Sequence, residues 1–302
     1  MGKSSLKSLD LIDHQAVAKF SGNPIVSYLT KEGSISGHHR SNHKGSSIEF
    51  SEYREYSVGE DLRKLDWRVM ARTDRLFLKE FEAETNLRCY LCLDCSKSMR
   101  FGEICSKFEF GKRILSTLCY LFLKQGDAVG LNLLSGKKNI EIKAKRNPDQ
   151  LKFILERIYK AKANGDQELI PSLHRVAESV ERRALFIVVS DFLDDSDEIT
   201  RAIHHLRDRN HEVILFHLLD PQEVDFNFKR PTRFIDIETG SSILTHPSDI
   251  REQYLIELEN HKNELIEGCL ESNCSYNDLI TNISVSTALQ SFLQNQTPKR
   301  NK

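Results

Sequence analysis

The chain has 302 residues, of which 39% are hydrophobic and 29% charged, with 14 Gly and 7 Pro. That composition provides an apolar core for one large or two modest domains and excludes a disordered or fibrous protein. Forty-three Lys+Arg against 44 Asp+Glu leave a net charge of −1, so there is no global attraction to nucleic acid or to an acidic membrane, although a local patch is still allowed. Seven scattered cysteines do not form a secreted disulfide framework. The stretch Met1 to Leu6 lacks the apolar run of a signal peptide, and Ala184 to Val189 is too short to span a bilayer. The expectation is a reduced, cytoplasmic protein with no stable membrane insertion.

In chain order, a first helical patch is expected over Leu9 to Phe20, then a loop over Gly33 to Ser47, rich in Gly, Ser and His. From Ile48 to Glu84 charges of both signs crowd among aromatic residues. This reads either as a solvated, salt-bridged face or as a docking surface centred on Trp67, the only Trp, with Arg63, Asp66 and Arg68 beside it. The segment is too charged to bury a core of its own, so it is expected to pack on the rest of the protein.

From Leu87 the pattern becomes alternating strands and helices. Strands are predicted at Leu87 to Asp94, Ala128 to Leu134, Asn139 to Ile142, Ala184 to Val189 and Glu212 to Leu218. Helices are predicted at Lys107 to Lys124, Pro148 to Tyr159, Ile170 to Arg182 and Asp197 to Arg209. Such alternation specifies an α/β fold with a mostly parallel sheet flanked by helices. Beyond it, Arg233 to Ile237 reads as a sheet-edge strand. Ile250 to Asn273 reads as a long helix capped by Ser248 or Asp249, and Ser286 to Leu293 as a short final helix. The expected division is 1–84 for the N-terminal extension and charged segment, 85–245 for the sheet domain and 246–302 for a C-terminal helical extension.

Ligands of parallel sheets sit beyond the carboxyl ends of the strands, which directs attention to Asp94 and to Ser190-Asp191. Asp94-Cys95-Ser96-Lys97-Ser98 follows a buried strand directly and sets a carboxylate and two hydroxyls at alternate positions. Hard oxygen donors of this kind suit Mg²⁺ or Mn²⁺. The plainer alternative is a polar turn whose side chains cap backbone amides. Cys89, Cys92 and Cys95 have a spacing seen in iron–sulfur ligation, but on a strand Cys89 and Cys92 point to opposite faces, so buried thiols are expected. His38, His39 and His43 read as a polar loop, and His204, His205 and His211 as exposed residues. Gly-x-Ser-x-Gly, a phosphate-binding Gly-rich loop and His-Glu-x-x-His are all absent.

From about Ser34 onward the sequence resembles the domain-of-unknown-function fifty-eight group of bacterial proteins, which carry a von Willebrand factor A-like domain. The resemblance is carried by Glu52-Tyr53-Arg54, Gly59-Glu60-Asp61, Leu65-Asp66-Trp67-Arg68, Leu93-Asp94, Ser96, Ser98-Met99, Gly126-Asp127-Ala128-Val129-Gly130 and Ser190-Asp191-Phe192, among others. It implies a metal-ion-dependent adhesion site in which Asp94, Ser96 and Ser98 form the first loop and Asp191 the third. Such a site commonly takes a Thr from its middle loop. Here the matching stretch is Asn164 to Leu169, with Asp166 at the Thr position, and an anionic ligand there would lower the charge the ion presents to a partner.

The resemblance further implies a non-enzymatic adaptor or chaperone-like partner of a MoxR-type AAA+ ATPase. Two other readings are weaker. A metal-dependent hydrolase using Asp94, Asp166 and Asp191 lacks an obvious general base. A nucleic-acid binder is disfavoured because nine Lys/Arg face eight Asp/Glu between Gly37 and Glu80.

Overall fold

The structure, a computed structural model, describes residues 8–21, 48–55, 69–70, 72, 75–83, 87–136, 139–165, 168–228, 230–235 and 240–295. The chain divides into two compact units, one of Met1–Gly33 with Leu87–Lys302 and the other of Ser34–Asn86. Within the smaller unit, β1 (Ile48–Glu55) pairs antiparallel with β2 (Phe77–Ala83), with a register slip between Phe50 and Glu52. Trp67, Arg63, Asp66 and Arg68 lie outside the described residues, as do His38, His39 and His43.

The larger unit is built on a six-stranded sheet. Its strands are β3 (Arg88–Asp94), β4 (Ala128–Leu134), β5 (Ile140–Lys145), β6 (Leu185–Ser190), β7 (Glu212–Leu219) and β10 (Ser275–Ile280). Their spatial order is β10-β7-β6-β3-β4-β5, parallel throughout except for the antiparallel edge strand β5. This is the α/β architecture the alternation predicted, a mostly parallel sheet flanked by helices.

Period-2 side-chain alternation divides the core between two faces. Cys89, Leu91 and Leu93 of β3 face one cluster, joined by Ile187, Val189, Phe216 and Leu218. The helices on that side are α1 (His14–Phe20), α2 (Lys107–Lys124), α3 (Pro148–Lys160) and α8 (Val285–Asn295). Tyr90 and Cys92 face the other cluster with Phe186, Val188, Val213 and Leu215. There the cover comes from α4 (Leu169–Ser179), α5 (Ser196–Asp208) and α7 (Pro247–Glu271). Cys89 and Cys92 therefore do point apart, and all seven cysteines are free thiols.

Several expectations need correction. Residues 246–302 are more than a helical extension: β10 completes the sheet beside β7, and α8 places Val285, Ala288, Leu289 and Phe292 in the core. The strand at Thr232–Ile235 (β8) is not on the main sheet but pairs antiparallel with β9 (Ser242–Thr245) as a separate ladder. The long helix starts at Pro247 with His246 as N-cap, earlier than Ser248 or Asp249, because proline is preorganised for the first helical position. His211 is fully buried, edge-on to Phe186 at 4.9 Å, where an exposed residue was expected.

Asp127, in the turn from α2 to β4, is buried, and its Oδ2 has no hydrogen-bond partner. Burial pushes its carboxyl up to about 7, against the pull of Arg146 and of the Leu87 backbone N–H. The native state therefore keeps a proton that the unfolded chain releases near pH 4, and stability falls as pH rises from about 4 to 7. Asp127→Asn should be nearly neutral at pH 4. By pH 8 it should stabilise by about 2 kcal/mol, a figure reduced for partial solvent screening. Urea unfolding at the two pH values is the check, and an equal effect at both would contradict this account.

Candidate functional site

The sheet order places β3 between β6 and β4: the chain leaves β3 for β4 on one side and returns from β5 to β6 on the other, which sets the topological switch point at the ends of β3 and β6. Asp94 ends β3 and Ser190 ends β6. Both are buried, and Ser190 Oγ donates to Asp94 Oδ2 at 2.6 Å. The same Ser190 Oγ accepts from the backbone N–H of Phe192 at 3.0 Å. Phe192 adopts a left-handed φ of 44° and is buried against His217, which fixes the turn carrying Asp191. Asp94 Oδ1 accepts from the Ser96 N–H at 2.8 Å, so the turn-capping alternative also describes Asp94 correctly.

Beyond that cap the two serines converge. Ser96 Oγ and Ser98 Oγ are 2.9 Å apart, and Ser98 Oγ donates to Asp191 Oδ1 at 3.3 Å. Adjacent ligands of an octahedral ion with oxygens about 2.1 Å away are separated by about 3.0 Å. Three oxygens from two loops thus form a face whose two measured edges suit a small hard cation. No trio of His, Cys, Asp or Glu side chains that could hold a metal gathers among the described residues.

The middle loop comes in beside the first. Gly165 N–H donates to Cys95 O at 2.8 Å, and Ser96 and Gly165 form an isolated parallel bridge. Arg100 ties the same loops together through Ala163 O and Asn164 Oδ1. Asp166, the next residue, lies outside the described residues.

One component of the site escaped the sequence reading. Lys107, the first residue of α2, is 1% exposed, and its Nζ lies 2.8 Å from both Asp191 Oδ2 and Glu223 Oε1. Burial pulls the ammonium down, but Asp191 and Glu223 more than reverse this and hold it raised, as a cation. A positive charge at a helix N-terminus opposes the helix dipole, so these carboxylates are what make its position tolerable. Glu223 lies on the short helix α6 (Pro221–Asp225), where its Oε2 accepts the Asp220 N–H at 2.7 Å in a capping box. The signal was present: Lys107 shares a helical stripe with Phe110, Gly111 and Ile114, all buried.

Among the described residues no such cation offsets Asp94. Burial first, and the neighbouring charge of Asp191 second, push its carboxyl well above the usual carboxylate range. On β7, beyond β6, His217 is forced neutral by burial, down to about 3, and its Nδ1 meets the Tyr276 hydroxyl at 2.6 Å.

Fold and strand-end loops together define an α/β domain with a mostly parallel six-stranded sheet and a polar cluster at the ends of β3 and β6. The chain belongs to the family described as protein of unknown function DUF58, which matches residues 52–264. Uncharacterized protein Rv1480 of Mycobacterium tuberculosis (strain H37Rv) is 26% identical over 213 residues, 69% of this chain and 67% of that protein. Uncharacterized protein YeaD of Bacillus subtilis (strain 168) is 30% identical over 110 residues, 36% of this chain and 26% of that one. Similar solved structures include the conserved hypothetical protein BatB of Bacteroides thetaiotaomicron, at 16% identity and TM-score 0.45, covering 70% of this chain and 98% of that one. The SpRpn10 VWA domain follows at 13% identity and TM-score 0.41, covering 71% and 96%. No helix among the described residues is long and apolar enough to cross a membrane.

Proposed function

We propose that the protein is a non-enzymatic, cytoplasmic interaction module that holds Mg²⁺ or Mn²⁺ on Ser96, Ser98 and Asp191, and through the ion binds a carboxylate of a protein partner. The observation that carries this reading is the oxygen face with edges of 2.9 and 3.3 Å. Asp94, held by Ser190 and the Ser96 amide, orients the first loop, and Asp166 is the candidate to complete the coordination. When bound, the ion would supply positive charge for an acidic side chain. The partner we propose, from the family resemblance, is a MoxR-type AAA+ ATPase, with Trp67, Arg63, Asp66 and Arg68 as a second contact region.

Calorimetric titration with Mg²⁺ and Mn²⁺ should show one site, and Asp94→Ala should weaken it at least about tenfold by releasing the first loop. Capture of the ATPase from native lysate should then depend on the ion and fail with a chelator. No heat at millimolar ion would end the metal reading. Phosphatase or nuclease turnover by the purified protein, lost in Asp94→Ala, would replace the adaptor with a hydrolase.

A further inference from the structure

We infer that Lys107 is an internal counter-cation that sets how tightly the Ser96–Ser98–Asp191 face holds a divalent ion, with Glu223 tuning its effect. The inference rests on the metal reading above and deepens it by assigning the residues that govern ion affinity.

Asp191 has two oxygens with different duties. Oδ1 accepts from Ser98 at 3.3 Å and belongs to the donor face, while Oδ2 lies 2.8 Å from the Lys107 ammonium. Cation and donor face are thus separated by the width of one carboxylate. At 1% exposure the lysine is not screened by water, so its charge acts on the ion position at close to full strength.

The lysine is also held in place. Glu223 grips its Nζ at 2.8 Å and is itself fixed by the Asp220 N–H. Asp220 in turn accepts from the Gln222 N–H at 2.9 Å and from the Thr281 hydroxyl at 3.2 Å. Swinging Nζ away would strand two buried or half-buried carboxylates, which is costly. The ammonium therefore stays when an ion arrives, and its repulsion reduces affinity. Glu223 offsets part of that repulsion.

This arrangement predicts changes of opposite sign. Lys107→Gln keeps an N–H donor for the carboxylates and removes the charge, so Mg²⁺ affinity should rise at least about tenfold. Glu223→Gln leaves the ammonium less compensated and should lower affinity about tenfold. Lys107→Arg, which keeps the charge, should stay within about threefold of the wild type. A purely structural role would weaken ion binding in both neutral variants, so the opposite signs are diagnostic.

Calorimetry on the full chain, with the Mg²⁺-dependent rise in melting temperature as a second readout, makes the comparison. Unchanged or weaker Mg²⁺ binding by folded Lys107→Gln, or shifts of the same sign in both neutral variants, would overturn the inference. If the wild type binds Mg²⁺ and no variant moves, this inference alone falls. If neither the wild type nor any variant gives heat or a melting shift, the metal reading falls with it. Should Lys107→Gln fail to fold, Glu223→Gln carries the test alone: weaker binding supports the assignment, and unchanged or tighter binding refutes it.

Discussion

Lys107→Ala should destabilise the metal-free protein by about 3–5 kcal/mol, the usual cost of leaving buried carboxylates without their cation. The side chain is 1% exposed and Asp191 3%, so little water can replace the ammonium at that carboxylate. Glu223, at 16%, recovers some solvation, which keeps the expected loss within that range. Urea denaturation in chelator measures it directly. A loss below about 1 kcal/mol would mean that the pair behaves as a surface ion pair.

A chain ending after Thr245 should not fold. Such a truncation removes β10, which pairs with β7 from Ser275↔Ile214 to Ile280↔Leu219, and so turns a covered strand into an open edge. It also removes Phe292, packed edge-on to Phe216 at 5.0 Å, together with Leu265, Val285 and Leu289 from the two core clusters. Each large apolar side chain lost costs about 2–5 kcal/mol, so the four together cost about 8–20 kcal/mol, as much as or more than the roughly 5–15 kcal/mol by which domains are stable, before the loss of the β10 ladder is added. Circular dichroism and limited proteolysis decide the matter. A cooperative melt from the truncated chain would show that residues 246–302 are dispensable after all.

The sheet was legible because its central strands are short apolar runs between helical stripes, as in Ala184 to Val189, which is buried throughout. The position of the candidate site was legible for a related reason: Asp94 and Ser190-Asp191 interrupt such runs at their carboxyl ends. β10 was not, because Ser275, Asn277 and Asp278 give an edge strand too little apolar signal to separate it from a loop. Lys107 was passed over because a lysine at a helix start reads as solvent-facing, and only its register with Phe110 and Ile114 contradicts that. Glu223 could not have been paired with it from sequence, since the two are 116 residues apart and meet only through the fold.

The division of β3 between two faces has a chemical consequence. Cys89 and Cys92 lie back to back on one strand, each fully covered, and Cys119 is covered likewise on α2. Burial pushes the Cys92 and Cys95 thiols up to about 12 and raises Cys89 and Cys119 as well, so thiolate is scarce in the native state. An oxidant or alkylating agent can reach these sulfurs only when the sheet opens, and their modification rate then follows the opening equilibrium. At these buried sulfurs the native protein resists modification, whereas a partly opened molecule exposes them to it.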